Sequence, residues 1–590
     1  MHKLTKVSVQ NFRSIREADF ALSEYTALVG NNNVGKSNLL KAIGWLLKKS
    51  SLQAGDFCDE GMSVTVEATI DGIDERVLGS IEPRHRDRIE PHVRDGKLVV
   101  RRTQIAPGVS TRDLNIEVLA EDLDGNPSWV VNPNGIEGSI SGLLPEPIVI
   151  GAMENATDDV AKFSSTSTIG KLLKEVIDPI SARYAEEVSE ALSPVGVKIS
   201  SNGTDKDEDL LNFDRMIADE LSPLFPGVSA KTHIPLPSFS DFFKGATIRI
   251  SEGDAIDQER DVGSFGHGVQ RSVQIALIKC LARTRAGDRN AGRTTVILVD
   301  EPELYLHPQA IEAIRAAFAA LAGNQYQLIF STHSPAMIHR KDVPNTLLMR
   351  RTADLGTYAL PRVAEAVSDA IENADHQSDI LFSLGNASRI LFTDKVVLCE
   401  GKTERVLLPE LFKKLTGHSF DERRMALVEV DSVDSVVKTR QILLKMGIPV
   451  FAVVDLDFAC RGAIKNDLID ADNGDVISCK ETFAALASKG VISLDEAGLP
   501  KKHNGEPAAR AYEMLAHENA AAVLQLHQRL KDDHAIWVWP MGAIEKQLGL
   551  ESKQTSAHRV FVERLEDENF IEQIPGIDGV RSVMSWLAGG

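Results

Sequence analysis

Apolar and polar residues alternate at the start of the chain and give way to longer apolar runs. This spacing predicts three strands followed by a helix, at residues 4–11, 18–22, 26–29 and 36–47. The segments MSVTVEATI and KLVVRR, within residues 62–102, alternate again and predict antiparallel strands. Between residues 150 and 245 the apolar spacing is that of amphipathic helices, so we expect an inserted helical module there.

From about residue 246, short apolar runs alternate with amphipathic helices. ATIRIS, TTVILVDE and YQLIFSTHS are predicted strands, and a second series near Asp394 contains KVVLCEG, MALVEV and PVFAVVDLD. Strands that alternate with helices are typical of α/β sheets, so the fold class is α/β with a domain boundary near residue 390. Beyond Ala459 the chain is polar, and we expect largely irregular structure there, with weaker strand and helix signals.

The composition narrows the class of protein. A chain of 590 residues exceeds the roughly 250–300 residues that one core supports, so we expect at least two domains. No apolar run approaches the roughly 18 residues of a membrane span, and no signal peptide is visible, so we expect a cytoplasmic protein without a membrane partner. The net charge of −20 argues against a protein that simply coats DNA. The five cysteines form no CxxC pair, which argues against a zinc ribbon.

One segment matches the pattern GxxxxGK[ST] between a predicted strand and a predicted helix. It consists of Gly30, Asn31, Asn32, Asn33, Val34, Gly35, Lys36 and Ser37. Glycines let the backbone wrap a phosphate, and the helix N-terminus attracts the anion. Lys36 is placed to reach the β- and γ-phosphates and Ser37 to ligate Mg²⁺. The sequence therefore predicts an ATP site.

Two apolar strands further along end in polar residues. Asp300 and Glu301 close VILVDE, and His333 follows QLIFST. Ligands of such sheets bind beyond the carboxyl ends of the strands. We therefore expect Asp300 to hold Mg²⁺, Glu301 to polarise the attacking water and His333 to sense the γ-phosphate. An ordinary acidic strand end and a structural histidine are the alternatives.

Two more acidic pairs follow strands in the last third of the chain. Glu400 and Glu404 lie in EGKTE, and Asp455 and Asp457 lie in DLD. Residues i and i+2 of a strand share a face, and carboxylates so close repel one another unless a cation binds. Ligands with oxygen only suit Mg²⁺ or Mn²⁺, so we expect a metal site here. Two solvated acidic turns are the alternative.

A glycine-rich loop opens the helix before VILVDE. Together with the phosphate loop, the acidic strand end and His333, it resembles the ABC-type ATPase head of the SMC, RecF and OLD group, although the usual LSGGQ is not intact. In that group the loop contacts ATP held by a partner subunit. The resemblance therefore implies a homodimer and nucleotide contacts from Gly266, Gly268, Gln270 and Arg271. Asn11-Phe12-Arg13-Ser14 resembles the opening strand of the group, which implies that Arg13 lies near the nucleotide.

EGxxE followed about fifty residues later by DxD resembles the Toprim domain. This resemblance implies phosphodiester chemistry with one or two metal ions, Glu400 being a ligand or base. Toprim domains of the OLD type place a later acidic or lysine residue at the site. Glu545 and Lys546 match best, which implies that Glu545 adds a ligand and Lys546 stabilises charge on the phosphate.

The order of these motifs resembles the OLD family of ATPase-nucleases, and the Gabija defence nuclease has a similar layout. The resemblance implies an ABC ATPase in residues 1–150 and 246–390, a helical dimerisation insertion in 151–245 and a Toprim domain in 391–590. It implies an ATP- and Mg²⁺- or Mn²⁺-dependent DNA endonuclease of phage defence or DNA repair, with a partner helicase or other defence protein as a further possibility. Nicking and double-strand cutting, and DNA and RNA, stay open at this point.

Two other functions compete with this interpretation. An ATP-switched DNA clamp or scaffold would carry the same motifs without cutting. Another Toprim enzyme is the second alternative, although a topoisomerase needs a tyrosine in a DNA-breaking module and a primase normally has a zinc module. None of the six tyrosines stands in such a module, and CxxC is absent.

Overall fold

The computed structural model describes residues 2–121, 126–144, 147–151, 168–225, 228, 230–234, 236, 248–251, 259–285, 294–323, 325–368, 390–430, 433–503, 507–550 and 552–589. The chain forms two compact units. Unit 1 contains Met1–Arg16, Ala21–Tyr25 and Ser37–Thr332, and unit 2 contains Glu17–Phe20, Thr26–Lys36 and His333–Gly590. No helix in the described residues is both long enough and apolar enough to cross a membrane.

The strands in the described residues follow one another along the chain as β1 Lys3–Phe12, β2 Ile15–Ala21, β3 Tyr25–Val29, β4 Val64–Asp71, β5 Lys97–Gln104, β6 Ile116–Glu121, β7 Pro127–Val131, β8 Ile148–Ile150, β9 Arg249–Ile250, β10 Arg260–Asp261, β11 Thr295–Val299, β12 Tyr326–Thr332, β13 Leu347–Thr352, β14 Gly356–Ala359, β15 Lys395–Cys399, β16 Met425–Glu429, β17 Val450–Val454, β18 Ser493–Leu494, β19 Pro500–Lys501 and β20 Ile536–Val538.

The α-helices in the described residues are Lys36–Leu47, Glu75–Ser80, Pro83–Ile89, Ile136–Leu143, Thr168–Ile199, Glu208–Leu221, His267–Arg285, Pro308–Leu321, Val363–Ser368, Lys402–Thr416, Val433–Lys445, Ala463–Lys465, Gly474–Ser488, Ala509–Glu518, Ala520–His534, Ile544–Leu548, Thr555–Arg564, Glu568–Ile571 and Ile577–Gly589. The two amphipathic helices expected between residues 150 and 245 are confirmed by Thr168–Ile199 and Glu208–Leu221.

Unit 1 contains an antiparallel run of strands in the order β7-β6-β5-β4-β1. Every second residue of β4 is buried, which is the pattern of a strand with one face on a core. The strands predicted from MSVTVEATI and KLVVRR are therefore confirmed. The region between them is not strand, because the helices Glu75–Ser80 and Pro83–Ile89 separate β4 from β5.

A parallel group of strands in unit 1 has the order β8-β11-β12. All residues of β11 and β12 are buried, as continuous apolar runs in a parallel sheet require. The predicted strands VILV and QLIFST are confirmed, and the helix Pro308–Leu321 connects them. This arrangement places Asp300 and Glu301 directly beyond the carboxyl end of β11.

Unit 2 contains a parallel four-stranded sheet in the order β16-β15-β17-β20. The second predicted α/β series is confirmed, with the helices Lys402–Thr416 and Val433–Lys445 as its first two crossovers. Large apolar side chains fill one buried cluster of this sheet, including Phe412, Trp537 and Trp539. In the register of the two central strands, Cys399 of β15 lies beside Val453 of β17, so both strands end at the same edge.

The expectation of irregular structure beyond Ala459 was wrong. Most of this stretch is helical, including Gly474–Ser488, Ala509–Glu518 and Ala520–His534. The helix Gly474–Ser488 starts at Asn473, whose side chain accepts hydrogen bonds from two backbone N–H groups. Its buried residues recur at helical spacing, at Val476, Cys479, Phe483 and Leu486. The polar residues between them concealed this pattern.

The long connection from β17 to β20 crosses from one edge of the sheet to the other, because these neighbouring strands are parallel, with Val453 beside Trp537. At its return, the backbone N–H of Ala452 donates to the carbonyl of Ala535 at 3.0 Å. Beyond the carboxyl ends of the two strands, the backbone N–H of Leu456 donates a hydrogen bond to the carbonyl of Gly542 at 2.7 Å. The segments that follow β17 and β20 therefore meet at the edge where both strands end.

Candidate functional site

The phosphate loop of unit 2 adopts a conformation that requires glycine at its start. Gly30 has a φ of +154°, and a Cβ added there would lie 2.5 Å from the carbonyl oxygen of Met349. The ammonium group of the buried Lys36 donates to the carbonyls of Gly30 and Asn31 at 3.0 and 2.9 Å. The loop therefore holds its lysine on its own backbone, which is the predicted position for reaching a phosphate bound within the loop. The side chain of Asn31 also donates to Asp394, at 3.1 Å.

Asp300 in unit 1 accepts two hydroxyl hydrogen bonds on one oxygen. Ser37 Oγ donates to Asp300 Oδ1 at 2.9 Å, and Ser331 Oγ donates to the same atom at 2.5 Å. The backbone N–H of Glu301 donates to Ser331 Oγ at 3.0 Å. The structure thus brings together the two residues predicted to hold Mg²⁺. Sequence reasoning missed Ser331, although it stands at the end of the strand that leads to His333.

The turn that carries Asp300 and Glu301 is held by a buried arginine. Arg271 donates to the carbonyls of Asp300 and Glu301, each at 3.0 Å, and to that of Gly151 at 3.2 Å. Glu301 has a φ of 46°, in the left-handed region that few non-glycine residues adopt. The guanidinium therefore stabilises a strained turn, and the predicted contact of Arg271 with nucleotide stays a prediction.

The glycine-rich loop before the helix His267–Arg285 is ordered by Gln270. Its amide donates to the carbonyls of Gly263 and Phe265 at 3.3 and 2.8 Å. A Cβ on Gly266 would meet open space, whereas one on Gly268 would lie 3.2 Å from the carbonyl oxygen of Tyr305. The close approach of the Tyr305 backbone explains the glycine at position 268, and the open space beside Gly266 leaves room for a ligand.

Arg13 lines a cavity of about 440 Å³ in unit 1 that Ser37 and Asp300 also line. Its guanidinium donates to Asp56 Oδ1 from two nitrogens, at 2.9 and 2.7 Å. Trp45 adds an aromatic surface to the same cavity. Arg13 therefore lines the same cavity as the two predicted Mg²⁺ ligands, and its position near the nucleotide stays a prediction. His333 directly follows β12, and its role stays a prediction.

Four predicted carboxylates meet at the edge of the sheet in unit 2. Glu400 follows β15, Glu404 lies in the first turn of the next helix, and Asp455 and Asp457 follow β17. Because β15 and β17 are adjacent and parallel, their carboxyl ends present these side chains at one edge. The EGxxE and DxD motifs are thus neighbours in space, as expected.

Burial and mutual repulsion disfavour the charged form of these acids. Burial, followed by the charge of Asp457, raises the pKa of Glu400 to about 7. Burial also raises the pKa of Glu404 to about 7, and the charges of Glu545 and Glu400 add to this effect. The pKa of Asp455 is raised well above its usual range by burial and then by Glu404, and burial raises that of Asp457. An acidic cluster of this kind is stabilised when a cation binds.

The residues present suit a divalent metal ion. Among the described residues, no three acidic, histidine or cysteine side chains stand close enough together to hold a metal ion as they are placed. However, Glu400 Oε2 and Asp457 Oδ1 are buried without a hydrogen-bond partner. Such atoms lower the free energy of unfolding unless a cation binds them. Oxygen-only ligands are those that Mg²⁺ and Mn²⁺ prefer. Metal binding here would draw the carboxylates together.

Glu545 joins the acidic cluster, and a lysine missed by sequence reasoning accompanies it. The ammonium group of Lys553 lies 3.4 Å from Glu545 Oε2. Its positive charge partly offsets the rise in the pKa values of all four acids of the two motifs. Lys546 instead lies 3.6 Å from Glu513. These contacts favour Lys553 over Lys546 as the cation of the site. Lys553 stands in no motif, so only its proximity to Glu545 in the sequence hinted at it.

Comparisons with known proteins match both halves of this arrangement. The family model described as "Overcoming lysogenization defect protein-like, TOPRIM domain" matches residues 391–457. The family model described as "AAA ATPase domain" matches residues 2–89 and 139–338. The Old nuclease of Escherichia phage P2 is 34% identical over 565 residues, which cover 94% of each chain. The chain belongs to the OLD nuclease family.

Two further relatives carry related names. The OLD nuclease of Thermus scotoductus is 23% identical over 437 residues, which cover 70% of this chain and 74% of that protein. Endonuclease GajA of Bacillus cereus is 21% identical over 440 residues, which cover 70% and 68%. A solved SMC head bound to a domain of ScpA matches 60% of this chain with 16% identity and a TM-score of 0.37.

Membership of the OLD nuclease family makes the chain an ATPase joined to a Toprim nuclease. The ATPase match contains the phosphate loop, Asp300, Glu301 and His333. The Toprim match runs from residue 391 to Asp457 and contains the acidic pairs of both motifs. Glu545 and Lys553 lie outside the matched residues, so their place at the site rests on the structure of this chain.

Proposed function

We propose that this OLD family member hydrolyses ATP and cuts DNA with Mg²⁺ or Mn²⁺ held by the carboxylates of unit 2, in phage defence or DNA repair. One observation carries the proposal. Four acids with raised pKa values, Glu404 buried and the other three half-buried, stand at the carboxyl ends of two adjacent parallel strands, and two of their oxygens are buried without a hydrogen-bond partner. A divalent cation would neutralise these carboxylates and satisfy the two oxygens, and the bound cation would attract the phosphate of DNA.

The nuclease chemistry divides among residues of this chain. Glu404, Asp455, Asp457 and Glu545 are the proposed ligands, and the bound ion would supply Lewis-acid stabilisation of the developing phosphate charge. Glu400, whose pKa is raised to about 7, is suited to accept a proton from the attacking water near neutral pH. Lys553 is suited to pair with a phosphate oxygen.

The proposed ATPase roles follow the contacts within each unit taken by itself. Lys36 would exchange the carbonyls of the phosphate loop for the β- and γ-phosphates. Ser37 and Asp300 would hold Mg²⁺, because the two side chains already touch at 2.9 Å. Glu301 would orient the attacking water and His333 would sense the γ-phosphate. Gly266, Gly268 and Gln270 belong to the loop proposed to face the nucleotide of a partner subunit.

A homodimer is the proposed assembly. The inserted helical module exposes large apolar side chains, such as Phe213 and Met216 on the helix Glu208–Leu221. Met216 is 67% exposed and Leu224, just beyond the helix, is 70% exposed. Clusters of exposed large apolar side chains mark interaction surfaces. A second copy of the chain is the partner that the family resemblance implies for this module, and a helicase or other defence protein would be an additional partner.

The test is cleavage of supercoiled plasmid by the wild type and by Asp455→Ala, with Mg²⁺ or Mn²⁺ and with or without ATP. We expect cutting that needs the metal and is lost in the variant. Asp472→Ala is the matched control, because Asp472 is exposed and lies outside the site. Equal cutting by wild type and Asp455→Ala, or cutting in excess EDTA, would refute the proposed site. An ATP-dependent DNA clamp is the alternative if purified wild type binds DNA with ATP and cuts no plasmid.

A further inference from the structure

A buried chain of hydrogen bonds connects three helices behind the acidic cluster. Thr403 Oγ1 donates to Glu545 Oε1 at 2.5 Å, and His558 Nε2 lies 3.3 Å from Thr403 Oγ1. Thr403, Glu545 and His558 are 3%, 8% and 2% exposed. They belong to the helices Lys402–Thr416, Ile544–Leu548 and Thr555–Arg564. Water is thus largely excluded from the contacts between these elements.

The donor and the acceptor of each hydrogen bond in this chain are defined. A threonine hydroxyl has a single hydrogen, and a carboxylate can only accept. Because Thr403 gives its hydrogen to Glu545, its oxygen accepts from His558, which therefore carries a hydrogen on Nε2. The order of donation is His558 to Thr403 to Glu545. A hydrogen bond to a carboxylate in a buried setting is among the stronger ones in proteins.

The chain ends on the carboxylate that adjoins the metal-binding motifs. Ile544, which directly precedes Glu545, donates its backbone N–H to Asp455 Oδ1 at 3.4 Å, so Glu545 stands beside the DxD motif. Thr403 occupies its Oε1, while Oε2 lies 3.4 Å from Lys553. The threonine therefore determines which oxygen of Glu545 is available on the side of the lysine.

Thr403 stands in the EGxxE turn, so its contact with Glu545 reaches the turn that carries two of the predicted acids. Thr403 follows Glu400 by three residues and directly precedes Glu404. The turn is tight, since a Cβ on Gly401 would lie 2.8 Å from Glu404 Oε2. Through its hydrogen bond, Thr403 connects the proposed ligand Glu545 to the EGxxE motif, although 142 positions of sequence separate the two residues.

We propose that Thr403 and His558 are positioning residues of the metal site. They touch neither metal nor DNA, and they hold the Glu545 carboxylate in the orientation in which it completes the set of ligands. Partners of this kind, one step removed from the metal, commonly change metal affinity about 10–100-fold when they are removed. The inference rests on the proposed function only in that the acidic cluster binds a divalent cation.

The experiment measures Mn²⁺ binding to the nucleotide-free full chain by the electron paramagnetic resonance signal of free Mn²⁺. Thr403→Val keeps the shape of the side chain and removes the hydroxyl, so we expect about 10-fold weaker binding or more. Thr403→Ser keeps the hydroxyl and should bind nearly as the wild type does. Thr416→Val is the matched control, since Thr416 ends the same helix and its hydroxyl bonds to backbone groups of Phe412 and His418, away from the acidic cluster.

Variants of His558 test the second link. His558→Gln can still donate a hydrogen bond, whereas His558→Leu cannot, so we expect weaker Mn²⁺ binding only for the leucine variant. If the three residues act as one chain, the double variant Thr403→Val/His558→Leu binds Mn²⁺ no more weakly than Thr403→Val alone. Additive losses would show that His558 acts elsewhere and would overturn its part of the proposal.

Asp455→Ala separates this inference from the proposed function. If Asp455→Ala loses Mn²⁺ binding while Thr403→Val retains wild-type affinity, the metal site stands and the positioning role is refuted. Equal weakening by Thr403→Val and Thr403→Ser would also refute it, because the hydroxyl would then not matter. If Asp455→Ala binds Mn²⁺ as the wild type does, the acidic cluster is not the metal site and the proposed function fails.

Discussion

Ser37 donates a hydrogen bond to Asp300 although 263 positions of sequence separate them. One belongs to the phosphate motif and the other to an acidic strand end, and each was assigned to Mg²⁺ on its own. Ser331 donates to the same oxygen of Asp300 at 2.5 Å. The carboxylate is therefore already oriented by two hydroxyls, which reduces the rearrangement that binding of Mg²⁺ and ATP would require.

Glu301→Gln should slow ATP hydrolysis about 100-fold or more, because the amide cannot accept a proton from the attacking water. Nucleotide binding should persist, since the phosphate loop is intact. Lys36→Ala should instead lose nucleotide binding. A steady-state ATPase assay together with binding of a fluorescent ATP analogue distinguishes the two results. Glu312→Gln, on the exposed face of the helix Pro308–Leu321, is the control, and normal turnover in Glu301→Gln would disprove the role of Glu301.

The metal-free chain should lose stability as the pH rises toward 8. Glu400 and Glu404 have pKa values of about 7 in the folded chain against 4.5 in the ordinary carboxyl. Below about pH 4.5 both carboxyl groups are protonated in the folded and in the unfolded chain, so the free energy of unfolding is highest there. Between 4.5 and 7 the unfolded chain ionises first, so the free energy of unfolding falls, and above 7 it levels off.

Urea unfolding in EDTA at pH 5 and pH 8 measures this loss. We expect Glu404→Gln to reduce the difference between the two pH values by at least about 1.4 kcal/mol, the equivalent of one pKa unit. Mg²⁺ should restore wild-type stability at pH 8. A variant whose pH dependence equals that of the wild type would show that Glu404 does not titrate in the folded chain near pH 7.

Lys553→Met should reduce plasmid cleavage about 10-fold or more, because a single stabilising donor at a phosphate is worth at least that much. Lys546→Met should have the smaller effect, since Lys546 lies beside Glu513. Without Lys553 the carboxylates are harder to ionise, so the pH profile of cleavage should also move to higher pH. A larger loss in Lys546→Met would instead support the assignment of Lys546 made from the sequence.

Arg102→Met should destabilise unit 1 by about 3 kcal/mol, because it removes a buried charge and leaves its acceptors unpaired. Arg102 donates to the carbonyls of Leu46 and Leu114, and to Glu137 at 2.9 Å. The adjacent Arg101 is the control. It pairs with Glu117 at a partly exposed site, so Arg101→Met should cost about 1 kcal/mol or less. Urea unfolding compares the two, and equal losses would argue against a special role of Arg102.

The spacing of apolar residues and the short motifs predicted those strands, helices and sites that depend on residues close together in the sequence. The helix Lys36–Leu47 begins and ends where the sequence indicated, because a glycine-rich loop and an apolar spacing mark it. The pairs Glu400 with Glu404 and Asp455 with Asp457 were recognisable because each directly follows an apolar run that predicts a strand. The ATP and metal motifs are therefore readable from short stretches of the chain.

Contacts between distant residues could not be read in this way. Thr403 meets Glu545 and His558 across 142 and 155 positions, and no local pattern marks either contact. Arg271 stood in a motif and was assigned to nucleotide, and no local pattern marks its hydrogen bonds to the carbonyls of Asp300 and Glu301. The helices beyond Ala459 were missed for another reason, since their polar faces outweighed a helical spacing that the sequence does contain.

The backbone hydrogen bond from Leu456 to Gly542 joins the segments that follow the neighbouring strands β17 and β20. Leu456 stands between Asp455 and Asp457, and Gly542 precedes Glu545 by three residues, so this bond ties together the backbone on which these carboxylates stand. The free energy of closing a loop grows only slowly with its length, so the long crossover between the two strands can gain or lose chain at little thermodynamic expense. The crossover is thus free to diverge under selection while the backbone next to the chemistry is preserved.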